Sequence, residues 1–242
     1  MKRLLLYLGI ILFLPLILAS RSKVEAPFYA PIEGGGLQQH EERGMGWDLP
    51  RSTVVPSPSG ESRGQASKGG IQYKVIYYPT PNISTDKMNR VEGVILHHTA
   101  EPTVKRSLEV LTSSTKKVGT HVVIDTDGTR YIMAPPTVVT YHAGFSVLDG
   151  KEGCNDFTIG IEFQGNTLVR PLTDDQIRSA IEYLLPIISK YKISLQNIVT
   201  HEMVRNAYKR KYPQKKCSGK PDITQVEYKN FMNALKRYKF DH

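Results

Sequence analysis

The distribution of apolar residues divides this chain of 242 residues into three segments. An uninterrupted apolar run of 16 residues occupies positions 4–19, residues 21–70 show no sustained apolar period, and from residue 71 onward apolar positions recur at strand and helix spacings. With 40% apolar residues, a chain of this length can bury one hydrophobic core and has few apolar residues left for a second. We therefore expect one folded domain over residues 71–242.

Within that domain, short apolar or alternating stretches predict strands, and apolar positions three or four residues apart predict helices. The predicted strands are residues 91–98, 121–125, 130–133, 157–163 and 195–200, the second and third forming a hairpin that turns at Asp127-Gly128. The predicted helices are residues 104–114, a long helix that begins after a Thr173–Gln176 capping box and should kink at Pro186, and residues 224–238 with Val226, Phe231, Met232 and Leu235 inward. This alternation predicts an α/β fold in which helices flank a mixed central β-sheet.

The first 20 residues have the composition of a secretory signal peptide, because Lys2 and Arg3 precede the apolar run. Ile17 and Leu18 lie where signal cleavage prefers a small residue, so an uncleaved membrane anchor is the alternative. Either outcome predicts an exported protein of the periplasm or cell envelope. Residues 21–70 contain nine Gly, five Pro and six Ser, a composition typical of a disordered linker.

The formal net charge is +9, and basic residues are concentrated between positions 203 and 220, where no acidic residue occurs. Such a segment favours an anionic ligand or surface, and a solvated loop is the alternative. We expect no nucleic-acid partner, since no aromatic residues are interleaved with the basic ones in a recognised motif.

Five of the seven histidines fall within the probable core of the predicted domain, outside which lie His40 and His242, and three of the five lie at the ends of predicted strands. His97 and His98 end one strand and His201 ends another. Ligand sites of α/β sheets collect at strand ends, so two histidines about 100 residues apart can meet there. Spacing alone makes this only a weak indication of a zinc site.

Four sequence motifs resemble, in order and spacing, the type-2 N-acetylmuramoyl-L-alanine amidase family, which includes phage lysozyme-amidases and peptidoglycan recognition proteins. The motifs are VILHHTA (94–100), TYHAGFS (140–146), CNDFTIGIEFQG (154–165) and VTHEMV (199–204). The likeness covers roughly residues 90–238 and is greatest to the bacterial branch that processes anhydromuramyl peptides. It implies a monomeric zinc enzyme that hydrolyses the amide bond between N-acetylmuramoyl and L-alanine in peptidoglycan or muropeptides. The carboxylates of the peptidoglycan stem peptide would complement the positive charge of the basic segment between positions 203 and 220.

The resemblance implies three zinc ligands, of which His97 and His201 are two, with His98 packing or hydrogen-bonding nearby. The third is Asp222 or Cys217, because each follows a lysine by two residues. In the family the third ligand closely precedes the last helix, which favours Asp222, although an insertion after His201 must then be assumed. Cys154 and Cys217 are the only cysteines, and a disulfide between them would remove Cys217 from metal binding.

The family's mechanism implies a zinc-bound water as nucleophile and Glu162 as the general base that accepts its proton. Strand alternation supports this role, because it places Glu162 on the face opposite Ile161 and Phe163. Lys220 is expected to stabilise the developing oxyanion, or Lys215 if Cys217 is the ligand.

The resemblance also implies substrate-binding roles for two residues outside the metal set. His142 of the HAG element is expected to hydrogen-bond the substrate. Asn155 is expected to line the cleft or to fix its loop. The alternative to an enzyme is a non-catalytic peptidoglycan-binding protein of the same fold.

Overall fold

The computed structural model describes residues 72–217, 219 and 222–240. The predicted signal or anchor at residues 1–20, the predicted linker at 21–70 and Lys220 lie outside the described residues. Among the helices that are described, none is long and apolar enough to cross a membrane.

A six-stranded mixed sheet forms the centre of the domain and confirms the predicted fold class. In spatial order its strands are β1 (Val75–Tyr77), β5 (Arg130–Ile132), β4 (Val122–Ile124), β9 (Thr158–Phe163), β3 (Gly93–His98) and β10 (Ile198–Thr200). The predicted hairpin of β4 and β5 is antiparallel, and every other neighbouring pair is parallel. Two small sheets pair β2 (Ile83–Lys87) with β6 (Val138–Thr140) and β7 (Val147–Leu148) with β8 (Lys151–Glu152).

Within the described residues, four α-helices flank the sheet: α1 (Val104–Leu111), α2 (Asp174–Tyr191), α3 (His201–Lys211) and α4 (Gln225–Phe240). The predicted capping box at the start of α2 is present, since the Thr173 hydroxyl accepts from the Gln176 backbone N–H and the Gln176 side chain accepts from the Thr173 N–H. Helix α2 continues through Pro186 to Tyr191. Helix α3 was not predicted: its segment was interpreted as a basic stretch with a solvated loop as the alternative.

The two faces of the sheet are covered by different helices. On one face, the β9 side chains Ile159, Ile161 and Phe163 belong to the largest apolar cluster, together with Ile181 of α2 and Phe231 of α4. On the opposite face, smaller clusters join the sheet to α1 through Leu108 and Leu111 and to α3 through Val204. The polar site described below lies on this second face.

One predicted core position of α4 is wrong. Val226 is 66% exposed, whereas Phe231, Met232 and Leu235 are buried as predicted. Val226 lies in the first turn of α4, and at 100° per residue it falls on the side of the helix opposite Phe231, Met232 and Leu235.

Candidate active site

The site is built where three adjacent parallel strands end. Glu162 lies near the end of β9, His97 near the end of β3, and His201 immediately after β10. In the register of β3 and β9, His97 is paired with Glu162. Paired residues of neighbouring strands project from the same sheet face, about 5 Å apart, so backbone pairing alone brings these two side chains to one side.

His97, His201 and Asp222 form a cluster in which one donor atom from each residue lies within 4.8 Å of the others. The Asp222 Oδ2 atom is 3.6 Å from His97 Nδ1 and 3.2 Å from His201 Nδ1. The other carboxylate oxygen, Oδ1, accepts backbone N–H groups of His98 at 3.2 Å and Ile223 at 2.9 Å. The backbone therefore fixes the carboxylate with one oxygen directed at the two imidazoles.

The charge states of this cluster follow from its surroundings. Burial of Asp222 raises its pKa, but hydrogen bonds from His201 and His97 and the charges of these residues outweigh burial, so the pKa is well below its ordinary value. Burial lowers the pKa of His97. A carboxylate facing a neutral imidazole is the state in which both groups offer lone pairs to a cation.

Cys217, the alternative third ligand, lies outside this cluster. Its side chain is partly exposed, and its Sγ is 4.0 Å from the Phe145 carbonyl oxygen. Cys154 is fully buried, and both cysteines are free thiols, so the structure does not contain the disulfide considered from the sequence. Lys215 extends toward the Tyr208 hydroxyl, with its Nζ at 3.4 Å.

A cleft of about 180 Å³ opens onto the cluster. Glu162 is half-buried in its lining. The lining also includes His142 and the exposed ring of Tyr141. The cleft thus presents two carboxylates outside the His–His–Asp cluster, Glu101 and Glu162, and of these only Glu162 is the register partner of His97.

His142 and Asn155, the predicted substrate-binding residues, make extensive internal contacts. The His142 ring lies between His97, with Nδ1 3.3 Å from His97 Nε2, and the Thr158 carbonyl, with Nε2 at 3.2 Å. The Asn155 Oδ1 atom accepts the backbone N–H groups of His142 at 3.0 Å and Ala143 at 2.7 Å. Of the two roles considered for Asn155, the structure favours fixing the loop, and Asn155 is absent from the cleft lining.

Two further histidines are structural neighbours of the site. The His98 Nδ1 atom lies 2.9 Å from the Thr167 hydroxyl, which confirms that this residue hydrogen-bonds beside the cluster. The His121 Nε2 atom lies 2.9 Å from the Val138 carbonyl, and burial lowers the pKa of this imidazole to about 4.

The basic segment is more structured than the sequence indicated. Arg205 is buried on α3, whereas Lys209, Arg210 and Lys211 form the exposed last turn of that helix. Lys211 is paired with Glu152, with Nζ 2.6 Å from Oε1. Only part of the segment therefore contributes positive charge to the surface.

Sequence reasoning missed several groups that surround the cluster. The Ala143 carbonyl lies 3.2 Å from His201 Nε2, and Gly160 of β9 faces the His142 ring. Every residue has a backbone carbonyl, so the sequence does not indicate which carbonyl contacts a histidine. Gly160, however, interrupts a strand of otherwise larger residues, a pattern that indicates close approach of another group.

The sequence model of the N-acetylmuramoyl-L-alanine amidase family matches residues 87–220. Among curated proteins, the 1,6-anhydro-N-acetylmuramyl-L-alanine amidase AmpD of Enterobacter cloacae is 37% identical over 79 residues, which are 33% of this chain and 42% of that protein. AmpD of Haemophilus influenzae is 39% identical over 88 residues, or 35% of this chain and 46% of that protein. The chain thus spans less than half the length of these curated relatives.

Solved structures share the fold. A crystal structure of an AmpD derivative superposes with a TM-score of 0.52 at 20% identity, covering 66% of this chain and 96% of that one. The solution structure of the PlyG catalytic domain gives a TM-score of 0.52 at 16% identity, covering 68% and 94%. At these identities the likeness concerns the fold alone.

Proposed function

Because the chain belongs to the N-acetylmuramoyl-L-alanine amidase family, we propose that it hydrolyses the amide bond between N-acetylmuramoyl and L-alanine in peptidoglycan or muropeptides. The observation that carries this proposal is the His97–His201–Asp222 cluster with Glu162 paired in register beside His97. A protein that only binds peptidoglycan has no need of a general base next to a set of metal ligands.

The cluster fits a catalytic zinc ion. Two imidazoles and one carboxylate are a donor set found in catalytic zinc sites, which keep a further coordination position open. When bound, zinc supplies a Lewis acid for the amide carbonyl and lowers the pKa of a water ligand to about 7. Asp222 serves as the third ligand in this proposal, since its Oδ2 atom lies 3.6 Å from His97 Nδ1 and 3.2 Å from His201 Nδ1. Cys217 lies outside the cluster.

Glu162 supplies the acid and base chemistry. Its carboxylate accepts a proton from the attacking water and returns that proton to the L-alanine nitrogen as the C–N bond breaks. The position of Glu162 in the cleft lining, one strand from His97, supports this role. Lys220 keeps its predicted role in stabilising the oxyanion, by family resemblance alone.

The names of the curated relatives support a muropeptide substrate of the anhydro type for this site. The composition of residues 1–20 supports export to the cell envelope, with residues 21–70 as a tether to the catalytic domain. An envelope enzyme would meet peptidoglycan and its fragments directly.

Product analysis tests the proposal. The full-length chain is incubated with a purified muramyl peptide, and the products are identified by mass spectrometry. We expect free stem peptide with an intact L-alanine amino terminus and a muramyl sugar with a free lactyl carboxylate. Recovery of the substrate unchanged, while the protein still co-sediments with peptidoglycan, would identify a binding protein instead.

A further inference from the structure

An exposed aromatic ring lies beside the candidate active site, on the side of α3. Phe145 is 65% exposed, whereas Phe157, Phe163 and Phe231, the other phenylalanines whose side chains the structure describes, are buried. Burial of an aromatic side chain is strongly favourable, so an exposed ring that is also held rigidly is a candidate contact surface for a ligand.

We propose that the outer face of the Phe145 ring binds a sugar of the glycan, namely the sugar next to the muramic acid whose amide is cleaved. This inference rests on the proposed function and adds a glycan subsite to it. A pyranose ring presents a face of C–H groups surrounded by hydroxyl groups. The negative face of an aromatic ring attracts such C–H groups, and polar groups at its edge can bind the hydroxyls.

The Phe145 ring has a fixed support behind it. One face of the ring stacks on Tyr208, with centroids 5.3 Å apart and an angle of 24° between the rings. Tyr208 in turn contacts Tyr212, with ring centroids 4.9 Å apart. Because Tyr208 is buried, this stack leaves the opposite face of Phe145 open to a ligand. We call this open face, supported by Tyr208, the Phe145 platform.

The loop that carries the platform is held on both sides of Phe145. The buried Ser146 hydroxyl donates to the Gly144 carbonyl at 3.0 Å and accepts the Cys154 N–H at 3.1 Å. Gly144 has a φ of +52°, and a Cβ at this position would meet no neighbouring atom within 4 Å, so glycine is favoured here by backbone conformation rather than by space. A loop fixed in this way loses little conformational entropy when its ring binds a ligand.

The platform continues the active site along α3. The Ala143 carbonyl, two residues before Phe145, lies 3.2 Å from His201 Nε2. Tyr208 follows His201 by seven residues, which places it on the same side of the helix about 10 Å farther along. The muramic acid ring is joined to the scissile carbonyl by its short lactyl group and must stay beside the metal ligands. The neighbouring sugar is therefore the one that reaches Phe145.

The two arms of the substrate need two surfaces. The glycan leaves the scissile amide on the carbonyl side, and the stem peptide leaves it on the nitrogen side. The cleft extends from the metal ligands along α1, where Ser107, Val110 and Leu111 line it, and Phe145 is not part of that lining. The platform is thus a second surface, on the α3 side, for the arm that the cleft does not hold.

The charges around the platform favour the glycan over the stem peptide, which carries carboxylates. Lys211 is paired with Glu152, with Nζ 2.6 Å from Oε1. Lys215 lies over the Tyr212 ring, with Nζ 4.7 Å from its centroid. The other two basic residues of the last turn of α3 follow Tyr208 directly, so at 100° per residue they point to other sides of the helix. An uncharged sugar needs none of these cations.

Steady-state kinetics on two substrates that differ by one sugar test the assignment. One substrate is an N-acetylmuramoyl peptide, and the other carries N-acetylglucosamine on the same muramic acid. Phe145→Ala should raise KM for the disaccharide substrate about 10-fold at unchanged kcat, because it removes binding that the ground state and the transition state share. KM for the single-sugar substrate should stay the same, since that substrate does not reach the ring.

Val169→Ala is the matched control, because it truncates a side chain that is 82% exposed in the loop before α2. It should leave both KM values unchanged. An increase of KM for both substrates in Phe145→Ala, or for neither, would overturn the proposal.

The shape of the side chain separates stacking from simple apolar contact. Phe145→Trp keeps a flat ring and should keep the KM for the disaccharide substrate. Phe145→Leu keeps the apolar character without the ring and should resemble Phe145→Ala. Zinc content should be the same in all three variants, because no metal ligand is changed. A Phe145→Leu variant with the KM of the unsubstituted protein would contradict the stacking contact.

Glycan binding without turnover keeps this inference separate from the proposed function. A peptide-free oligosaccharide of N-acetylglucosamine and N-acetylmuramic acid is titrated into the full-length chain, and the phenylalanine ring signals are followed by NMR. We expect the Phe145 signals to shift and those of the buried Phe163 to stay in place. If the Phe145 signals shift but no muramyl amide is cleaved, the proposed function fails and the glycan subsite stands. If the amide is cleaved and the Phe145 signals do not respond, the glycan subsite alone fails.

Discussion

Glu162 is the register partner of His97 in the parallel pairing of β9 with β3. The separation of the proposed base from the proposed metal ligand is therefore set by backbone hydrogen bonds between two buried strands rather than by a mobile loop. Sites built on rigid elements hold their reacting groups more precisely than sites built on loops. This relationship gives the proposed mechanism its most specific prediction.

Glu162→Gln should retain zinc and lose at least about 100-fold in kcat, because the amide keeps the shape of the side chain but cannot accept the proton of the attacking water. Turnover of a muramyl peptide and zinc content are measured on the same preparation. Glu109→Gln, on the exposed face of α1, is the matched control and should behave like the unsubstituted protein. Full activity of Glu162→Gln would remove this residue from the mechanism.

Asp222→Ala should lose stoichiometric zinc, while Cys217→Ala should retain it, since only Asp222 faces the two histidines. Metal content after dialysis, determined by mass spectrometry, separates the two variants. The reverse result would transfer the third ligand to Cys217 and the associated lysine role from Lys220 to Lys215.

Asn155→Ala should reduce the free energy of unfolding by about 1–3 kcal/mol, because buried N–H groups of the loop lose their acceptor. The His142 N–H also contacts the Thr140 carbonyl at 3.2 Å, so the loss should stay below that of two fully unpaired groups. Asn155→Asp preserves the accepting oxygen and should be closer to the unsubstituted protein in chemical denaturation. Equal losses for both variants would disprove the anchoring role.

The buried pair of Arg130 and Glu182 joins β5 to α2, with 3.4 Å between Nη2 and Oε1 and side chains 7% and 1% exposed. Glu182→Leu should cost about 3–5 kcal/mol, because it leaves the guanidinium buried without its counter-charge. Adding Arg130→Met should recover most of that loss in equilibrium unfolding. A double variant less stable than Glu182→Leu would show that the pair itself contributes the stability.

The sequence was sufficient to predict the strands and helices whose apolar or capping patterns involve only neighbouring residues. The strand containing Gly93–His98, the strand Thr158–Phe163 and helix α2 were predicted within a few residues, because apolar alternation and the capping box depend only on neighbouring positions. Helix α3 was missed because its only fully buried apolar residues are Val204 and Tyr208 among many polar and basic ones. Its helical state depends on packing against β7 and β10 rather than on its own apolar period.

The candidate site was only partly predictable for a similar reason. His97, His201 and Asp222 came from motif resemblance, and the structure brings them together. The contact between His97 and His142 joins residues 45 positions apart through a loop without regular structure, so no periodicity indicates it. The contact between His201 Nε2 and the Ala143 carbonyl involves the backbone, so it does not depend on which side chain stands at position 143.

Phe231 and Val226 of α4 were both predicted to face the core, but only Phe231 is buried. Phe231→Ala should cost about 3–5 kcal/mol in unfolding free energy, because Phe231 is fully buried against Phe163. Val226→Ala, at an exposed position of the same helix, should change it by less than about 0.5 kcal/mol. A large loss at Val226 would contradict the placement of the first turn of α4.

The central claim is that zinc held by His97, His201 and Asp222 enables this chain to cleave a muramyl amide. The most direct measurement removes metal from the full-length chain with a chelator, confirms by NMR that the fold persists, and then titrates zinc while free stem peptide is quantified. We expect no turnover without metal and recovery in proportion to zinc, up to one ion per chain. Amide cleavage that continues unchanged in the metal-free protein, or a folded protein that neither binds zinc nor gains turnover, would contradict the account.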